Sequence, residues 1–261
     1  MTAKMIVFCG LLSTGGLFAE TGRDAWLRYE ALDETAARPY REALPAVLAA
    51  FGDAPEIASA RQEILRGVRG MLGRTLRVEA GLPRENAIVT GTLEALRREA
   101  PALASGGDLA EDAFRLRTVA SGGIRYTVIA AANPRGALYG AFTLLRKIGL
   151  HEPIANLDET QTPYAPVRWV NQWDNLDGSI ERGYGGRSIF WENGAVRADL
   201  TRAGEYARLL ASVGINACSV NNVNANPKAL SPEILKQVAR IADVFRPWGV
   251  RLALSVDFSS P

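Results

Sequence analysis

Apolar residues recur with different periods along this chain, and the change of pattern near residue 160 divides it in two. In the first part, Ile57, Ala60, Ile64, Leu65, Val68 and Leu72 return every three or four positions, the spacing that lines one face of a helix. Trp26–Tyr29 reads as a short strand, and Asn86–Thr90, a brief apolar run, as another. Phe114, Leu116 and Thr118 alternate with Arg115 and Arg117. Ser121-Gly122-Gly123 then supplies a turn, and Ile124, Tyr126 and Val128 alternate with Arg125 and Thr127. The pattern predicts a β-hairpin with one apolar face and one charged face turned to water. Arg135–Ile148 follows as a helix whose stripe is Leu138, Ala141, Phe142, Leu145 and Ile148, with Gly149 placed to end it. Such a helix is expected to cover the hairpin's apolar face, giving a sandwich-like α+β domain over residues 20–155.

His151 to Pro166 contains Pro153, Pro163 and Pro166 among polar residues, so the domain boundary is expected there, with residues 156–166 as linker. From Val167 the order becomes strand, helix, strand, helix, strand. Val167–Val170, Ile215–Val220 and Val250–Val256 are the strands. Leu200–Val213 is one helix, closed by Gly214. The other begins at Ser231-Pro232 and carries Ile234, Leu235, Val238, Ile241, Ala242 and Phe245 on its core face. Alternation of this kind implies parallel pairing through right-handed crossovers, the α/β class.

Composition narrows the function classes. Charged residues are 22% of the chain, 30 basic against 28 acidic, which argues against nucleic acid or a membrane surface as partner. No apolar run reaches the roughly 18 residues of a membrane span. Lys4 followed by the mostly apolar Met5–Ala19 has the shape of a secretory signal over residues 1–19. The expected location is then periplasmic or extracellular, and cytoplasmic if that segment is instead a buried strand. Of the two cysteines, Cys9 would leave with the signal and Cys218 reads as a small buried hydrophobe. The single histidine, His151, lies in the linker, so a histidine-based triad is not expected within this chain.

Two architectures fit the second part. A doubly wound sheet would need a glycine fingerprint joining the first strand directly to a helix. Gly183-Tyr184-Gly185-Gly186 lies well past the strand, lacks the spacing, and is better explained as a tight loop. A (β/α)8 barrel instead asks for functional side chains just after each strand. Asn171-Gln172-Trp173-Asp174-Asn175 follows the first strand, Asn221-Asn222-Val223-Asn224 the second, and Asp257 ends the third. Each alone is an ordinary loop residue. Together, carboxamides, a carboxylate and a tryptophan at neighbouring strand ends suit a sugar, whose hydroxyls need donors and acceptors and whose C–H face stacks on an aromatic ring.

The stretch from Arg168-Trp169-Val170-Asn171-Gln172-Trp173-Asp174-Asn175-Leu176-Asp177-Gly178 through Ser179-Ile180-Glu181-Arg182-Gly183-Tyr184-Gly185-Gly186-Arg187-Ser188-Ile189-Phe190-Trp191 closely resembles the start of the barrel in α-glucuronidases of glycoside hydrolase family 67. Asn221-Asn222-Val223-Asn224-Ala225 resembles the segment after that family's second strand. Trp26-Leu27-Arg28-Tyr29 and Gly136-Ala137-Leu138-Tyr139-Gly140-Ala141-Phe142 resemble its N-terminal domain. Gln172 departs from the pattern, since many members carry His there.

The resemblance implies an α+β N-terminal domain followed, over residues 167–261, by the first three βα units of an incomplete (β/α)8 TIM barrel. It implies hydrolysis, with inversion, of the α-1,2 bond between (4-O-methyl)glucuronic acid and xylose, with glucuronoxylan-derived oligosaccharides as partners and no cofactor or metal. Homodimerisation is an option for the full-length enzyme. The family's catalytic carboxylates belong to later strands, so no catalytic residue is expected in this chain. Asp174, Asp177, Glu181 and Asp257 are not assigned that role, and Arg182 and Arg187 are read as structural. Trp173, Asn175, Asn222 and Asn224 are the expected substrate-binding residues. Because three strands cannot close a barrel, residues 163–261 are expected to be poorly stable by themselves, and this chain to hydrolyse no aldouronic acid. The rival readings are a non-catalytic carbohydrate-binding protein and another barrel glycosidase of the hexosaminidase type.

Overall fold

Side-chain caps set the starts of several helices in this computed structural model, which describes residues 22–257 and residue 259. The expected signal segment, with Cys9, lies outside the described residues. Asp33 accepts from the Ala36 amide at 2.9 Å and opens α1 (Glu34–Ala43). Strand β1 (Val47–Phe51) leads into α2 (Pro55–Leu72), which has proline in its first turn and ends on Gly73 at φ +63°. Next come β2 (Arg77–Glu79), β3 (Ala87–Thr92) and α3 (Leu93–Glu99), the last capped by Thr92. The hairpin β4 (Phe114–Ser121) and β5 (Ile124–Ala131) precedes α4 (Pro134–Gly149), capped by Asn133. Strand β6 (Asp158–Gln161) completes a six-stranded sheet of order β2-β1-β3-β5-β4-β6. The pairs among β2, β1, β3 and β5 are parallel, and β4 runs antiparallel to both neighbours.

Three expectations need correction. Trp26–Tyr29 is not a strand. Ala25–Arg28 is a 3-10 turn and Tyr29 sits in the left-handed region at φ +49°. The Trp26 ring packs edge-on against Tyr29 and Phe142, at 5.7 and 5.9 Å between centroids. The hairpin does not keep all its apolar residues on one face. Its two-residue turn, Gly122-Gly123 with both φ positive, pairs Ser121 with Ile124, so Leu116 opposes Ile129 while Val128 opposes Arg117. Phe114, Leu116, Ile129 and Ala131 therefore pack under α2 and α4. Tyr126, Val128 and Ala130 join β1, β3 and α3 in a second core on the opposite face, so that face is not simply turned to water. Finally, the expected linker contains strand β6, a polar edge strand laddered to β4 and tied by an Arg117–Asp158 ion pair at 2.7 Å.

The second part holds β7 (Trp169–Asn171), a small hairpin β8 (Trp191–Glu192) and β9 (Ala195–Val196), α5 (Thr201–Ser212), β10 (Ala217–Ser219), α6 (Pro232–Phe245) and β11 (Arg251–Ala253). β7, β10 and β11 form a parallel sheet with β10 central. Cys218, Val220, Leu210, Ile241 and Phe245 bury its helix-covered side. Two buried ionic clusters join this part to the first domain. Asp112 accepts from Arg135, Asn133, Arg168 and Asn216, and Glu63 accepts from Arg208, Tyr29 and Arg66. Among the described residues no helix is long and apolar enough to cross a membrane.

Candidate functional site

Parallel pairing places the carboxyl ends of β7, β10 and β11 side by side, and pairing continues past the regular strands. The Gln172 amide donates to the Ser219 carbonyl at 3.1 Å, and the Asn222 amide to the Asp174 carbonyl at 2.7 Å. The segments after β7 and β10 are thereby locked together directly beside Trp173. Trp173 itself is 41% exposed, so part of its ring is open to solvent.

The long loop after β7 is a folded platform. The Asn175 side-chain amide donates to Ser179 Oγ at 2.9 Å and to the Glu181 carbonyl at 2.7 Å. Asp177 accepts from the amide and hydroxyl of Ser179, which hold its carboxyl below the usual range. The Glu181 amide returns to the Trp173 carbonyl at 2.8 Å. Trp191 roots the platform: its fully buried indole donates to the Val220 carbonyl at 2.6 Å.

Asp174, the residue after Trp173, is 2% exposed. Burial raises its pKa, and a hydrogen bond from Ser188 offsets this only in part. Ser188 in turn accepts from the amides of Phe190 and Trp191 at 3.0 and 2.9 Å. Gln172 donates to the Tyr206 hydroxyl on α5. Burial pushes that phenol up to about 12, so it stays protonated. Sequence reasoning missed Ser188 and Tyr206 as supports of the site, because their partners are distant in sequence or unremarkable in type.

Of the four expected binding residues, Trp173 and Asn222 come together at adjacent strand tips. Asn222 is nearly buried, its carbonyl oxygen accepts from the Asn224 amide at 3.0 Å, and its own NH2 has no acceptor among the described residues. The Asn224 side chain is exposed. Asn175 is occupied within its loop and offers little to a ligand. Asn221, not among the four, is spent on pairing: it exchanges hydrogen bonds with the backbone of Ser255 at 2.7 and 2.9 Å. Asp257 holds Ser259 and stays below the usual carboxyl range for that reason.

Arg182 forms the expected ion pair with Glu181, and Arg187 bridges the backbone of Ser179. At 3.7 Å and with Arg182 87% exposed, that pair is long and solvated and stabilises little. Arg187 is exposed, with no side-chain partner among the described residues. Among those residues no His, Cys, Asp or Glu cluster could hold a metal. Geometrically, the tips offer an aromatic face, a free carboxamide donor and two available guanidiniums.

Two family models match successive parts of the chain. Residues 25–144 match the glycosyl hydrolase family 67 N-terminus and residues 147–261 match the family 67 middle domain. The chain is 44% identical over 253 residues to alpha-glucuronidase A of Emericella nidulans, covering 93% of this chain and 29% of that protein. It is 41% identical over 274 residues to an alpha-glucuronidase of Hypocrea jecorina, covering 100% and 32%. The chain thus spans about a third of the length of these curated relatives. Among solved structures, a family GH115 4-O-methyl-alpha-glucuronidase aligns at TM-score 0.53 and 18% identity over 81% of this chain and 29% of that one. A GH138 enzyme targeting pectin rhamnogalacturonan II also aligns at 0.53, at 11% identity over 81% and 31%. At such identities these two speak for the fold alone.

Proposed function

The chain belongs to glycosyl hydrolase family 67, and on that footing we propose that it forms the front portion of an α-glucuronidase acting on glucuronoxylan-derived oligosaccharides. The substrate bond is the α-1,2 linkage between glucuronic acid, or its 4-O-methyl ether, and xylose. In this reading residues 20–155 are an α+β domain and residues 167–261 the opening three βα units of a (β/α)8 barrel. The catalytic carboxylates stand on strands beyond those three. The observation that carries the reading is the union of Trp173 and Asn222 at adjacent carboxyl ends of parallel strands, through the Asn222–Asp174 backbone bond. In barrel enzymes functional side chains gather at that end.

Trp173 supplies an apolar ring for the C–H face of a sugar, and Asn222 a hydrogen-bond donor for a hydroxyl. Asn224 and Asn175 lie at the rim. The hydrolytic step inverts the anomeric carbon: one carboxylic acid protonates the leaving oxygen while a carboxylate on the other face activates water. Secretion, to periplasm or medium, goes with the apolar segment after Lys4. The test is to express the complete reading frame and follow aldouronic acids by proton NMR. Release of uronic acid as the inverted β-anomer supports the proposal. Intact substrate, or release of the α-anomer first, defeats it.

A further inference from the structure

Far from the strand tips, a chamber of about 220 Å³ opens at the junction of the two parts of the chain. It lies between α4, the residues after β6, Arg168 before β7, and the end of α5. Its volume is well above the roughly 10–15 Å³ that holds one bridging water. One face of α4 furnishes its chemistry. Tyr139, Thr143 and Arg146 follow at intervals of four and three, so they line up along the helix.

Part of their hydrogen-bonding capacity is unused among the described residues. Thr143 is more than nine-tenths buried, lines the chamber, and its hydroxyl has no partner among the described residues. The Tyr139 hydroxyl accepts from Arg168 at 3.2 Å, while its own proton has no recorded acceptor. Burial raises the Tyr139 pKa, so that proton stays in place at neutral pH. Arg146, at the rim, has a guanidinium without an acceptor among the described residues. The other charges in the wall are spoken for. Asp112 is saturated by Arg135, Asn133, Arg168 and Asn216, and Arg168 also donates to the Ala165 and Gly214 carbonyls at 2.6 Å.

From this arrangement we propose that the chamber binds a small hydroxylated carboxylate, one sugar acid in size. The carboxylate pairs with Arg146, in the bidentate geometry a guanidinium allows, and ligand hydroxyls satisfy Thr143 and Tyr139. The site is separate from the Trp173 face and does not depend on the chain's proposed activity. Because it joins α4 to the segments before β7 and after α5, occupancy would tie the two parts together.

The test is calorimetric titration of this chain with D-glucuronate, and with D-glucose as the uncharged counterpart. Wild type is expected to bind glucuronate and not glucose. Arg146→Gln should weaken binding about tenfold or more, the loss typical of one charge-assisted contact. Thr143→Val, equal in shape, should weaken it several-fold. Trp173→Ala should leave it unchanged, which separates this chamber from the strand-tip site. Circular dichroism of each variant checks that the fold survives, and glucuronate-induced shifts of the α4 amides in wild type locate the ligand independently. No heat and no amide shifts with wild type overturn the proposal. So does binding that is insensitive to Arg146→Gln, or binding that disappears with Trp173→Ala.

Discussion

Replacing Asp112 by Asn tests what mounts the parallel strands on the first domain. Asp112 is 1% exposed, with Arg135 at 2.8 Å and Arg168 at 2.9 Å. Burial alone would raise its pKa, but the hydrogen bonds from Arg135, Arg168 and Asn133 prevail and the carboxyl titrates below its usual value. Asparagine keeps the shape and one acceptor while leaving two guanidiniums in a buried site without their counter-charge. Removing one partner of such a pair costs about 3–5 kcal/mol. For a chain of this size that is roughly 6–20 °C in melting temperature. The assay is urea unfolding at pH 7 with matched thermal melts. The same linkage gives a pH signature. Because the folded pKa is depressed, the stabilisation is present above the unfolded pKa and is lost as pH falls through the folded one. Wild type should therefore lose its advantage over Asp112→Asn under acid conditions. A second comparison isolates the pair: adding Arg168→Met to Asp112→Asn should cost less than the two single losses summed. A loss below about 1 kcal/mol at pH 7, with additive singles, would refute the view that this cluster fastens β7 to the first domain.

Other outcomes follow from the same physics. Glu63, fully buried and held by Arg208 through two 2.9 Å bonds and by Tyr29, should cost about 3–5 kcal/mol as Glu63→Leu, read by denaturant unfolding. Gly140→Ala drives a Cβ into Ile129 and within 3.1 Å of Phe114, so unfolding should register a loss of about 1–3 kcal/mol from overpacking. Burial, with the Asp174 charge adding to it, pushes the Cys218 thiol up to about 12, so peptide mapping after iodoacetamide at pH 8 should find Cys218 unmodified in native protein and alkylated in urea. Asp174 has a pKa raised by burial, so ionisation opposes folding; Asp174→Asn should unfold later than wild type at pH 7, with the gain shrinking as pH falls towards the usual carboxylate range.

The sequence was most legible where one rule governed a segment. Ser231-Pro232 opened α6 because a hydroxyl cap and a preset backbone angle coincide there, and the Ser231 hydroxyl accepts from Ile234 as expected. The alternating strands and helices after Val167 paired in parallel for the same reason. Errors arose where two rules competed. Alternation in Phe114–Val128 indicated a hairpin, but the face each strand shows depends on register, which the Gly122-Gly123 turn fixes. Asp158–Gln161 looked like linker because an edge strand can be wholly polar when its partner strand supplies the ladder. The placement of Trp173 and Asn222 at adjacent strand ends could be read from their positions after strands. Asn175 could not be told from a ligand-facing carboxamide, since its bonds to Ser179 and Glu181 exist only in the folded loop.

The most direct check is the hydrolysis rate of aldouronic acids by the complete enzyme carrying Trp173→Ala. With the ring contributing the stacking surface, kcat/KM should fall about ten- to a hundredfold while the melting temperature holds. An unchanged kcat/KM would mean that sugar never meets this face, and the placement of the site at the tips of β7 and β10 would be wrong.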